Sequence, residues 1–251
     1  MAEASGDLAG RLALVVGGSG GIGAATVRAL ARAGATVIVG YNKGETAATA
    51  LLAELPGAGH RAMQVAVEDS RTIRALADAL ARAYPRLDIL VNAAGTTRSI
   101  AHDDLEALDD ATIDRIFAVN LRGPLATIRA LKPLLQSAGD AVVVNVSSTS
   151  AFTGRGSNIA YAASKAALDT LTRSLARALA PAIRVVAVSP GSVDTDFVPG
   201  RDRDALQRMA RASPLQRIIE PDDVARAVLA CVTHLTAATG IRIVVDGGAH
   251  L

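Results

Sequence analysis

The 251-residue chain has no tryptophan and only three tyrosines and three phenylalanines. A core without large rings has to be assembled from Ala, Val, Leu and Ile. Hydrophobic residues make up 50% of the sequence, enough for a sizeable core and better suited to an α/β arrangement than to an aromatic-rich β-sandwich. Cys231 is the only cysteine. No intramolecular disulfide can form, and a reducing, cytoplasmic setting is expected. The four histidines share no ligand spacing, so no metal site is expected. The charges nearly cancel at +2, and the basic residues are scattered in ones and twos. That leaves no footprint for nucleic acid. No apolar run approaches the roughly 18 residues of a membrane span. The first ten residues, which include Glu3 and Asp7, have no basic stretch before an apolar run, so no secretory signal is expected. Lysine is scarce too: of 26 basic residues only Lys43, Lys132 and Lys165 are lysines.

What is present is a regular alternation. Short apolar, β-branched runs at 12–16, 36–39, 63–67, 89–91, 142–146, 183–188 and 241–245 read as seven strands. Helical patterns fall between most of them, at 22–33, 46–54, 73–83, 112–135, 161–179, 204–212 and 222–235. Continuous rather than alternating apolar runs belong to strands buried on both faces. The helices supply the crossovers that parallel strands require. The expected fold is α/β: one doubly wound Rossmann-type domain over 1–251, with a seven-stranded, mainly parallel sheet flanked by helices. No Pro/Ser-rich linker or repeat divides it. The weakly patterned stretch 191–214 is the expected substrate lid.

The first strand runs into Gly17-Gly18-Ser19-Gly20-Gly21-Ile22-Gly23 and then a helix. Glycines allow a tight turn and close approach of a pyrophosphate, and the helix N-terminus offers unpaired N–H groups to the anion. A glycine pattern alone is weak; this one sits between a strand and a helix, the context the reading requires.

The spacing Gly17-x3-Gly21-x-Gly23 resembles the glycine turn of the short-chain dehydrogenase/reductase family. Other segments extend the resemblance over nearly the whole chain. They are Asn92-Ala93-Ala94-Gly95, Asn120-Leu121 with Gly123, Asn145-Val146-Ser147-Ser148, Tyr161-Ala162-Ala163-Ser164-Lys165, Pro190-Gly191 with Thr195, and Val245-Asp246-Gly247-Gly248. Within that family the chain resembles 3-oxoacyl-[acyl-carrier-protein] reductases and related ketoreductases. Four positions depart from the family pattern: Val16 for Thr, Ala66 for Asp, Ala93 for the second Asn, and Val186 for Asn.

Tyr161 and Lys165, four apart on a helix, share a face. A phenol titrates near 10, and a neighbouring ammonium favours the phenolate, making the pair a tuned acid–base group. Ser148 stands thirteen residues before Tyr161, the family's spacing; only that spacing separates it from Ser147. Its hydroxyl would orient the substrate oxygen. The resemblance further implies that Lys165 holds the nicotinamide ribose and that Asn120 helps seat a proton-carrying water. It also implies a cofactor site built from Gly17, Ser19, Gly20, Gly21, Ile22, Gly23, Val67, Asn92, Ala93, Ala94, Gly95, Tyr161, Lys165, Pro190, Gly191, Val193 and Thr195. Asn92 reads as structural in any case, holding the neighbouring strand. The end of the second strand, Tyr41-Asn42-Lys43, lacks the carboxylate that NAD-selective enzymes place on the ribose 2′-hydroxyl. NADP(H) is therefore the expected cofactor, with NAD(H) admitted. Gly20 stands where many NADP-dependent relatives have arginine.

The expected activity is NADPH-dependent reduction of a ketone or 3-oxoacyl group. The alternative is an NAD-dependent alcohol, sugar or steroid dehydrogenase of the same family; a non-catalytic nucleotide sensor is a third reading. The substrate walls should come from 96–100, 149–159 and the 191–214 lid. The expected partners are a small carbonyl or alcohol substrate and further copies of the chain. By the resemblance, helices 112–135 and 161–179 pair across a two-fold axis in a homotetramer.

Overall fold

The computed structural model describes residues 8–198, 200 and 203–251. Glu3, Asp7 and part of the expected lid lie outside the described residues. Seven strands form one sheet: β1 (Leu12–Val16), β2 (Thr36–Tyr41), β3 (Arg61–Gln64), β4 (Ile89–Asn92), β5 (Ala141–Val146), β6 (Ile183–Pro190) and β7 (Arg242–Val245). Their order is β3-β2-β1-β4-β5-β6-β7, and every pairing is parallel. The helices are α1 (Gly21–Arg32), α2 (Glu45–Glu54), α3 (Ser70–Ala83), α4 (Asp110–Phe117), α5 (Gly123–Ala138), α6 (Ser150–Thr153), α7 (Ile159–Leu179), α8 (Arg203–Ala212) and α9 (Pro221–Thr233).

Successive strand residues point to opposite faces, and the core divides accordingly. Ala13 and Val15 of β1 join Val37, Val39, Val27, Leu30 and Val228 on one side. Leu14 and Val16 join Ile38, Leu90, Val143, Leu80 and Leu131 on the other. Helix α3 shows why these crossovers form. Ile73, Leu76, Ala77 and Leu80 are buried at helical spacing, and the Asp69 side chain caps the first turn by accepting from the Arg71 N–H. The chain winds outward from β1 to β3, then crosses back to β4 on the other side of β1. That reversal opens a crevice at the carboxyl ends of β1 and β4.

The expected seven-stranded doubly wound sheet is present, and it is wholly parallel. Some element bounds differ. The third strand is shifted from the expected 63–67: β3 covers Arg61–Gln64, half-exposed at the sheet edge, while Val65, whose N–H donates to the Tyr41 carbonyl at 2.7 Å, and Val67 are buried just past it. The 112–135 helix is interrupted by a π-helical turn at Ala118–Arg122, in which Gly123 N–H donates to the Ala118 carbonyl. Pro124 has no N–H and cannot supply the α-helical donor to the Asn120 carbonyl, so the helix shifts register here. The short helix α6 carries no apolar period and is legible only in three dimensions.

Candidate active site

A cleft of about 1600 Å³ lies over the carboxyl ends of the strands. Its floor is the turn after β1. Gly17 has φ +79°, and a Cβ there would lie 2.6 Å from the Ala94 nitrogen. A Cβ on Gly23 would lie 2.0 Å from the Gly17 carbonyl oxygen, and one on Gly21 2.5 Å from Thr195 Cγ2. The turn therefore admits no side chains at these points and exposes main chain. Helix α1 begins immediately after it, with no side-chain cap and no acidic residue in its first turn. Open N–H groups and a positive dipole end suit a pyrophosphate, so these residues fit a dinucleotide.

Asn42 and Lys43, just past β2, line one end of the cleft together with Val67 and Glu68. The Asn42 amide donates to Glu68 Oε1 at 3.3 Å, and Arg122 donates to the Glu68 carbonyl at 2.9 Å. Tyr41 does not line the cleft. It is buried with the core beside α2, and burial together with Glu45 pushes its phenol up. Asn92 also sits behind the wall. Its amide donates to Asn145 Oδ1 at 2.9 Å, and Asn145 donates to Thr172 on α7 at 2.9 Å. This buried chain of amides ties β4 and β5 to α7. Ala93, Ala94, Gly95, Pro190, Gly191 and Val193 border the cleft beyond it.

Ser148, Tyr161 and Lys165 all line the cleft. Lys165 is 4% exposed. Its ammonium donates to the Val146 carbonyl at 2.8 Å and lies 5.8 Å from the centroid of the Tyr161 ring. Burial pushes this ammonium down to about 8, against the opposing pull of Asp169. Neighbouring Ser147 turns its hydroxyl away, donating to the Lys165 carbonyl at 3.4 Å. Ser148 Oγ instead accepts from the Ser150 N–H at 3.1 Å, at the start of α6, and lines the cleft. The Asn120 side chain is consumed by the fold. Its Oδ1 accepts from the Thr96 N–H at 2.8 Å, and its amide donates to the Thr96 carbonyl at 3.0 Å and Ser164 Oγ at 3.1 Å. A phenol, a hydroxyl and a buried ammonium at one wall of a dinucleotide-sized cleft can exchange a proton with a substrate oxygen and stabilise charge on it.

Residues 17–250 match the family model described as enoyl-(acyl carrier protein) reductase. The chain belongs to the short-chain dehydrogenase/reductase family. It is 38% identical over 242 residues to a Streptomyces violaceoruber protein named as ketoacyl reductase 2 of the granaticin polyketide synthase, covering 96% of each chain. It is 37% identical to cis-4-hydroxycyclohexanecarboxylate dehydrogenase of Sinomonas cyclohexanicum, covering 95% of this chain and 96% of the relative. The crystal structure of a 3-ketoacyl-(acyl-carrier-protein) reductase from Brucella melitensis complexed with NADH superposes with a TM-score of 0.87 at 29% identity, covering 97% of this chain and 99% of that one. As a member of this family, the protein is an oxidoreductase of CH–OH and C=O groups that works with a nicotinamide cofactor.

Two cleft residues have no signal in the linear sequence. Glu68 follows Val67 and meets Asn42 only because β2 and β3 pair. His250, next to the last residue, enters the cleft wall with Nδ1 2.7 Å from Asp246 Oδ2 and its ring edge-on to Phe152 at 5.4 Å. Among the described residues no helix is long and apolar enough to cross a membrane.

Proposed function

We propose that this dehydrogenase/reductase is an NADPH-preferring reductase of ketones of the 3-oxoacyl kind. The observation that carries the cofactor choice is the end of β2. Asn42 and Lys43 reach the cleft there, and no carboxylate on the strand would repel a 2′-phosphate. The ketoacyl reductase relative supports the substrate class.

The nicotinamide, when bound, supplies the hydride. Tyr161 gives its phenolic proton to the carbonyl oxygen as charge develops there. Ser148 donates a hydrogen bond to the same oxygen. Lys165 holds the nicotinamide ribose, and its charge favours the phenolate that Tyr161 leaves behind. An ammonium near 8 also exchanges protons readily close to neutral pH. Asn120 seats the proton-carrying water through its main-chain carbonyl, since its amide is engaged with Thr96 and Ser164.

The 191–214 segment serves as the lid. Thr195 rests on Gly21, and the Phe197 ring lies 5.9 Å from that of Tyr161. Assembly as a homotetramer in the cytoplasm completes the reading, with buried Cys231 unable to cross-link the chain with itself.

A second reading, an NAD-linked alcohol dehydrogenase, is favoured by Glu68. Its carboxylate sits on the Asn42 amide, where a 2′-phosphate would need that donor. The test is kcat/KM for a β-ketoester with NADPH and with NADH, in the wild type and in Glu68→Gln. NADPH should be preferred, and the variant should raise that preference about tenfold by removing a like charge. A wild type that favours NADH would overturn the choice.

A further inference from the structure

We infer that Asn158 is a positioning residue that sets the Tyr161 phenol against the 96–100 wall of the substrate pocket. The inference rests on the reading of Tyr161 as the proton donor. Asn158 is 1% exposed and stands just before α7. Its Oδ1 accepts from the main-chain N–H of Tyr161 at 2.7 Å, capping the helix at the turn that carries the phenol. Its amide faces the other way. It donates to the Arg98 carbonyl at 2.8 Å and to Thr97 Oγ1 at 3.2 Å. One side chain thus bridges the catalytic helix and a loop about 60 residues earlier in the chain.

The bridge does not stand alone. Ser157 bonds the Thr97 hydroxyl, and its carbonyl accepts from the Ile100 N–H at 2.8 Å. From the other side, Asn120 grips Thr96 and holds Ser164, whose hydroxyl donates to the Tyr161 carbonyl at 2.8 Å. Two buried asparagines therefore fasten both ends of 96–98 to the turn around Tyr161, while Thr96, Ser99 and Ser157 line the cleft. A helix cap requires only an acceptor. Serine, threonine or aspartate would satisfy it, and none of them donates as a carboxamide does. What asparagine adds is the pair of N–H donors directed at the substrate loop. An ångström of drift between a proton donor and its acceptor suffices for a large loss of rate.

Asn158→Asp and Asn158→Ser separate the two roles. Both remain good caps. Aspartate leaves the Arg98 carbonyl without its donor and faces it with a carboxylate; serine is too short to span the gap. Both variants should fold and keep cofactor Kd within about twofold, with an unfolding midpoint lowered by the loss of the buried donors. Their kcat/KM for a ketoester should fall about tenfold to a hundredfold. Full activity in both variants would reduce Asn158 to a cap and overturn the inference. A wild type that turns over no carbonyl substrate would instead defeat the functional reading. The bridge would then be judged by hydrogen exchange in the serine variant. The Ile100 amide should exchange faster while α7 amides beyond Ala162 stay protected, and unchanged Ile100 protection overturns it.

Discussion

Replacing Lys165 by methionine should abolish activity and yet stabilise the protein at neutral pH. The thioether matches the lysine stem in length and carries no charge to desolvate. Burial lowers the Lys165 ammonium from the ordinary 10.5 to about 8. At about 1.4 kcal/mol per tenfold, that fall corresponds to roughly 3 kcal/mol of destabilisation carried by the charged form. The sign follows from proton counting. Below pH 8 both folded and unfolded chains hold the proton, and the penalty is complete. Between about 8 and 10.5 only the unfolded chain holds it, so wild-type stability gains relative to the variant as pH rises. The substitution also removes the donor to the Val146 carbonyl, at a cost of about 1–2 kcal/mol. The variant should therefore be more stable by about 1–2 kcal/mol at pH 7 and lose that advantage by pH 10. Urea denaturation of both cofactor-free proteins at pH 7, 8.5 and 10 measures this, and groups shared by the two cancel in the difference. A difference that does not move with pH would refute the view of Lys165 as a charge held in the core at a cost to folding.

Tyr161→Phe deletes one hydroxyl and keeps the ring that lies against Phe197. It should lower kcat by about 10²–10⁴-fold with cofactor binding and folding intact, and retention of more than about a tenth of the wild-type rate would remove Tyr161 from the acid–base role. Light scattering at micromolar concentration should return the mass of an oligomer, a tetramer by the family resemblance; a monomer's 25.6 kDa would exclude that assembly.

Much of the molecule was legible because local chemistry and global fold agree. The run Leu12–Val16 followed by five glycines within seven residues announces a strand, a turn too tight for side chains and a helix start. Tyr161 and Lys165 share a face wherever their helix is placed, since four residues span about one turn. The β-branched runs at β5 and β6 imply strands covered on both faces, and hence a parallel sheet with helical crossovers. The 63–67 run placed the third strand about two residues late, because Val65 and Val67 are buried just beyond the end of β3.

Tertiary structure alone decided which way the groups face and what they meet. Ser147 and Ser148 are the same residue in adjacent places; just past β5 one hydroxyl donates to the Lys165 carbonyl and the other accepts from the Ser150 N–H. Asn120 has the right identity for a relay, but its amide is held by Thr96 and Ser164, 24 and 44 residues away. Tyr41 follows Gly40 to the end of β2, yet its ring goes to the core while Asn42 and Lys43 reach the cleft. Glu68 meets Asn42 across 26 residues, and Asn158 meets Arg98 across 60. Residue type and spacing determine periodicity, turn chemistry and which neighbours share a face. They carry no information about partners brought together by chain crossovers, because those distances exist only once the sheet has closed its order around β1 and β4.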